Sequence, residues 1–315
     1  MSRGEALITT RPVIPNPKRR KTKAAFSLQR RYNRGVEFRE YARANDDGLD
    51  LLTGALLIAR DAYPGLDLPA QRSKLDELAA PLRGRALAGL PHTVQARLLS
   101  DYLYVLRGFH GARADYYDPR NSFLSDVLDR KTGIPITLAV VYIEVARRLG
   151  VDALGVGFPG HFLVRLGARS LEPSALANEP VIIDPFDQGR LLDASALESL
   201  LRRSNVRAPL SSDMLEPAPT RHVVARMLMN LRGIYANRGD TPRLLLVLDR
   251  LIDLLPDLTS ELLERAALYE SLGAPDAALA DFKRYLDVDP SGEGALKARQ
   301  AITRLAKSSA ARPAN

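Results

Sequence analysis

After Thr220 the chain repeats itself. Tyr235 and Tyr269, Gly239 and Gly273, Leu248 and Phe282, and Pro256 and Pro290 each stand 34 positions apart. A fixed period of that length, with Gly between two apolar stretches and Pro at the close, is the mark of a helix-turn-helix unit stacked on a copy of itself. Such a unit cannot bury its apolar face alone. Two units fall short of the three or so that an independent solenoid requires, so this pair is expected to dock on the chain that precedes it. A helix over 294–306 would cap the array.

The period is that of the tetratricopeptide repeat, and Ala278, Phe282 and Pro290 occupy the places where that repeat uses a small, a bulky and a closing residue. Repeats of this kind present a concave face to peptides or other proteins. A protein or peptide partner is therefore expected on this surface.

The basic character of the chain is concentrated at its start. Residues 1–34 hold ten Lys or Arg and a single acid, Glu5, while the remainder holds 35 bases and 36 acids. With Pro12, Pro15 and Pro17 and no apolar periodicity, this segment reads as a disordered tail. Nucleic acid is a conceivable partner through Lys18-Arg19-Arg20-Lys21 alone, and no aromatic residue within that cluster offers a stacking platform. The chain has no cysteine, which excludes disulfides, thiolate metal sites and thiol catalysis. No apolar run of about 18 residues exists to span a bilayer, and the N-terminus lacks a signal-peptide core. A cytoplasmic protein without membrane contact is expected. The abundance of Leu, Ala and Arg suggests a bacterial source.

Residues 35–115 follow a helical pattern. Leu49 to Ala59 form an apolar helix stopped by Tyr63-Pro64-Gly65, and further helices are expected over 70–87 and 91–107. Asn121-Ser122 is a candidate helix cap. After the break at Gly133-Ile134-Pro135, a helix runs from near Thr137 to a C-cap at Gly150, with Arg147 and Arg148 in its last turn. Ala153–Phe158 and His161–Leu166 flank Pro159-Gly160 and read as a hairpin, and Val181–Ile183 as a third strand. A helix is expected near 194–203. Helices followed by antiparallel strands make an α+β fold, mostly helical, with a small antiparallel sheet. The expected organisation is a basic tail (1–34), an α+β domain with an N-terminal helical layer (35–210), and helical repeats (220–308).

In this layout His161 begins one strand and Asp184 ends another, so the two side chains can come within hydrogen-bond reach. A carboxylate that fixes a histidine tautomer is the supporting half of a nucleophilic triad. The nucleophile's usual place is a helix N-terminus, and the helix starting near Pro135–Thr137 is the candidate. His92, His110 and His222 lie far apart without metal-ligand spacing, so no metal site is expected, and no cofactor.

Residues from about 45 to 192 resemble the SirB1 family. The resemblance rests on Ala55-Leu56-Leu57-Ile58-Ala59 with Tyr63-Pro64, on Gly108-Phe109-His110-Gly111 with Asp115-Tyr116, and on Asn121-Ser122. It continues through Gly133-Ile134-Pro135-Ile136-Thr137-Leu138, Pro159-Gly160-His161-Phe162, and Asp184-Pro185-Phe186 with Gly189. It implies a transglutaminase-like, papain-like core followed by tetratricopeptide-type repeats, with His161 and Asp184 at the transglutaminase His and Asp positions. The resemblance puts the cysteine position near Pro135 or Ile136, neither of which is a nucleophile. Thr137 is the hydroxyl nearby, and helix capping is its expected role. Tyr116, Asn121 and Pro135 are expected to line the site.

Two functions fit. One is a non-catalytic, transglutaminase-like pseudoenzyme whose repeats make it an interaction or regulatory module. The other is an amide-bond hydrolase or acyl transferase in which His161, oriented by Asp184, activates water or Thr137.

Overall fold

The computed structural model describes residues 37–167 and 179–310. The basic tail, and with it the nucleic-acid expectation, lies outside the described residues.

One helix organises the first half of the molecule. α6 (Pro135–Arg148) is buried from Pro135 to Ala146 on every side, which explains why its sequence is apolar nearly all round. Its one buried charge, Glu144, is met by Arg147 and Arg148 from the last turn. These arginines thus neutralise a carboxylate as well as suiting the helix dipole. Around α6 pack α2 (Leu51–Ala62), α3 (Leu68–Ala79) and α5 (Leu124–Arg130), with α1 over residues 37–43 and α4 (His92–Ser100) completing the layer. α4 runs on as a π-helical turn, Asp101–Leu106, before Gly108 takes a left-handed conformation (φ 77°).

On its other side α6 meets an antiparallel sheet of β3 (Ala153–Val156), β4 (Leu163–Leu166), β5 (Val181–Asp184) and β6 (Arg190–Leu192), in that order. The pleat divides the side chains. Val164, Leu166 and Ile183 face the central core, while Val156, Leu163 and Ile182 face α7 (Ala194–Arg203) through Leu197, Leu200 and Leu201. β6 was not foreseen. Its three residues carry no alternation of their own, and pairing with β5 defines it. The same holds for a two-residue parallel pair, β1 (His110–Gly111) with β2 (Thr132–Gly133), which turns the expected break at Gly133 into a strand.

The repeats follow as α8 (Thr220–Arg238) with α9 (Thr241–Leu254), then α10 (Thr259–Ser271) with α11 (Pro275–Val288), and α12 (Ala295–Ala310) over the end. Gly239 and Gly273, paired by the period, are both left-handed (φ 64° and 70°). Each lets the chain reverse between the two helices of a unit.

Candidate functional site

His161 and Asp184 come together. His161 Nε2 lies 2.8 Å from Asp184 Oδ1, with the side chains 15% and 5% exposed. His161 does not begin the strand. It sits in the turn ahead of β4, where its N–H donates to Phe158 O at 3.0 Å and Gly160 supplies the left-handed residue (φ 67°). A side chain at Gly160 would also strike Ser204, which holds the turn by donating to Pro159 O at 3.0 Å. Asp184 closes β5 and caps the short turn Pro185–Asp187, accepting from the N–H groups of Phe186 and Asp187 at 2.9 and 3.3 Å. Its contact with Nε2 assigns the proton there, leaving Nδ1 without a hydrogen-bond partner among the described residues.

Phe186 walls the pair edge-on, its centroid 6.2 Å from the His161 ring and 6.0 Å from Tyr116. Arg113 lies over the Phe186 ring at 5.2 Å and pairs with Asp187. Tyr116 is 38% exposed. Burial, with a smaller push from Tyr117, raises its phenol pKa against the pull of Arg226, so it stays a hydrogen-bond donor. Arg226, from α8, reaches the back of the turn. Its Nη2 donates to His161 O at 2.5 Å and Phe158 O at 3.1 Å, and its guanidinium lies 5.5 Å from the Phe162 ring centre.

The helix start supplies no nucleophile. Pro135 and Ile136 are buried. Thr137 is fully buried, and its Oγ donates to Asn121 O at 2.8 Å, with Ile134 O also within reach at 3.1 Å, while accepting from Ile134 N–H at 3.1 Å. This is the N3 half of a capping box, a role that consumes the hydroxyl. Asn121, expected to line the site, has no exposed surface. Its amide donates to Asp115 O at 2.7 Å and its carbonyl accepts from Arg130, so it fixes the loop that carries Tyr116. Nor does Asn121-Ser122 cap α5, whose N-cap is Phe123. Among the described residues no three His, Asp or Glu side chains gather as a metal-ligand set, and no helix is long and apolar enough to cross a membrane.

Arg226 and Arg113 escaped the sequence reading. An arginine between the buried Ala225 and Met227 is a faint signal, and Arg113 sits in a loop with no pattern at all.

Known proteins match both parts of the chain. Residues 70–229 match the model of the transglutaminase-like superfamily, and residues 231–303 a tetratricopeptide repeat model. A UPF0162 protein of Xylella fastidiosa (strain Temecula1 / ATCC 700964) is 39% identical over 254 residues, covering 79% of this chain and 88% of that protein. SirB1 of Salmonella typhimurium is 25% identical over 71% of this chain and 82% of its own length. F-box only protein 21 of Homo sapiens is 30% identical over 64% of this chain, a stretch that is 34% of that larger protein. No solved structure matches the chain. This chain is therefore a member of the transglutaminase-like superfamily, of the SirB1-like kind that carries tetratricopeptide repeats behind the core.

Proposed function

We propose that this protein is a non-catalytic interaction module, a transglutaminase-like frame that binds rather than cleaves or joins, with its repeats as part of the binding surface. The observation that carries the reading is the start of α6, where the buried Pro135, Ile136 and Thr137 stand in place of a nucleophile. A triad without its nucleophile keeps a base and an orienting carboxylate but has no group to form the covalent intermediate. What remains is a half-buried imidazole with one nitrogen unpartnered among the described residues, an aromatic wall of Phe186 and Tyr116, and a nearby guanidinium, which suits recognition of a polar chain.

The competing reading is hydrolysis by water activated at His161, and the oriented His161–Asp184 pair favours it. Turnover of peptide-amide and ester libraries by the purified protein, compared with His161→Ala, decides between them. The binding reading expects both proteins to match the buffer blank. Turnover that disappears in His161→Ala would replace it with hydrolysis.

A further inference from the structure

We propose that the groove along α8, next to the His161 turn, is the binding site for an acidic peptide segment of a partner protein, with Arg226 receiving a peptide carboxylate. This rests on the interaction reading and deepens it by naming the surface and the chemistry of its ligand.

The groove encloses about 960 Å³ between α8, the end of α1 and the loop after α9. Arg226 and Met229 form part of its wall on α8, and Leu255 and Leu258 part of the opposite one. Met229 is 40% exposed.

Arg226 is the unusual group in it. Two arginines buried elsewhere in the repeats face carboxylates. Arg250 is met by Asp61, and Arg265 by both Asp249 and Asp281. Arg221, on the same groove, is saturated by Asp46 and by the carbonyls of Ala42, Ala44 and Leu254. Arg226 has no carboxylate partner among the described residues. Its Nη2 is used on the carbonyls of Phe158 and His161, while Nη1 and Nε have no acceptor among the described residues.

Burying a guanidinium without a counter-charge is costly, and burial accordingly lowers the Arg226 pKa. A carboxylate entering the groove would supply the missing charge through charge-assisted hydrogen bonds.

Carboxylate is favoured over phosphate. Phosphate sites gather several arginines, whereas among the described residues of this groove Arg226 and the exposed Arg43 are the two arginines with open donors, and Asp253, held by Arg39, and the exposed Asp257 also line it. The apolar wall of Met229, Leu255 and Leu258 calls for aliphatic side chains beside the acid, a peptide rather than a compact anion. Because Arg226 also grips the His161 carbonyl, an occupant is coupled to the turn that carries the histidine.

The test is a selection from a phage-displayed random dodecapeptide library on the full-length protein, followed by fluorescence anisotropy with the leading peptide made synthetically. The expected pool combines Asp or Glu with Leu, Ile or Met. Arg226→Gln should weaken binding at least tenfold. Replacing the peptide's acid by its amide should weaken binding to the native protein but not to Arg226→Gln, the coupling that a direct contact requires. Met229→Glu, at an exposed position outside the core, should weaken binding similarly, and it serves as the second variant if Arg226→Gln fails to fold. An empty selection, a pool without acids, or peptides that both variants bind within twofold of native would overturn the groove. The last of these would leave the interaction reading standing on another surface, and none bears on the turnover assay that tests that reading.

Discussion

Asp184 is the anchor of the histidine pair. Its Oδ1 accepts from the His161 ring and from two backbone N–H groups, so it holds the β5–β6 turn whether or not the imidazole is present. Removing it leaves buried donors without an acceptor, at about 1–3 kcal/mol for such a group. Removing the imidazole deletes one hydrogen bond and some packing on Phe186. Asp184→Ala is therefore expected to cost about 3 kcal/mol and His161→Ala about 1–2 kcal/mol. The double variant should cost less than their sum, because the shared bond is counted in both. Urea denaturation of the three variants measures this. Equal costs for the single variants would mean that the backbone contacts contribute nothing.

At the scale of elements, α2 shows how a helix is fixed at its start and along its face. Asp50 caps it, accepting from the Thr53 N–H at 3.0 Å and from Arg72 at 2.8 Å. Burial opposes ionisation of this carboxyl, but the hydrogen bonds from Thr53 and Arg72 outweigh it and hold the pKa at about 2. A carboxyl depressed in the folded state stabilises it above the unfolded value of about 3.9 and loses that contribution as pH falls toward the folded value. With the side chain one-third exposed, the contribution is about 1 kcal/mol. The stability difference between the native protein and Asp50→Asn should thus be constant above about pH 5 and shrink toward pH 2. A difference that does not change with pH would remove the charge from the account.

Further along α2, Gly54 is where α1 and α8 cross it. An added Cβ would lie 2.5 Å from Tyr41 Oη and 2.7 Å from Val224 Cγ2. Gly54→Ala gains about 1 kcal/mol in helix propensity yet should be net destabilising by about 1–2 kcal/mol through overpacking. A raised urea midpoint would show that the helices separate freely there. In sequence Gly54 looks like a weak point in a good helix, and only the crossing gives it a reason. The same limit governs the candidate site. His161 and Asp184 were legible because strand order and spacing place them together. Asn121 was misread as lining the site because its burial depends on Arg130 and the Asp115 carbonyl. Arg226 was missed because its target is a backbone carbonyl 65 residues earlier, which no local pattern records.

For the whole molecule, the first repeat is part of the transglutaminase-like core in the physical sense. Val224, Met227, Leu228 and Leu231 of α8 and Leu244, Leu248 and Leu251 of α9 lie in one continuous apolar cluster with Leu52, Leu56 and the residues of α6. Arg250 of α9 reaches back to Asp61 of α2 through two hydrogen bonds of 2.8 Å. The second repeat and α12 have a separate cluster, built on Leu262, Phe282, Tyr285 and Ala298 and joined to α9 through Ile252. Seven buried aliphatic side chains represent on the order of 10 kcal/mol of burial, comparable to the whole stability of a domain at about 5–15 kcal/mol. A chain ending at residue 219 should therefore lack a cooperative thermal transition and aggregate. A chain ending at residue 258 should keep a cooperative transition at a lower temperature, since it leaves the first cluster in place while uncovering Ile252 and taking Arg265 from Asp249 and Glu264 from Arg232. Circular-dichroism melts of the two truncations separate this account from one with an independent core. If the 219 chain melts as cooperatively as the full protein, the first repeat is an accessory. If it does not, the repeats cannot be exchanged as a module, and any ligand held along α8 acts directly on the element that supports the His161 turn.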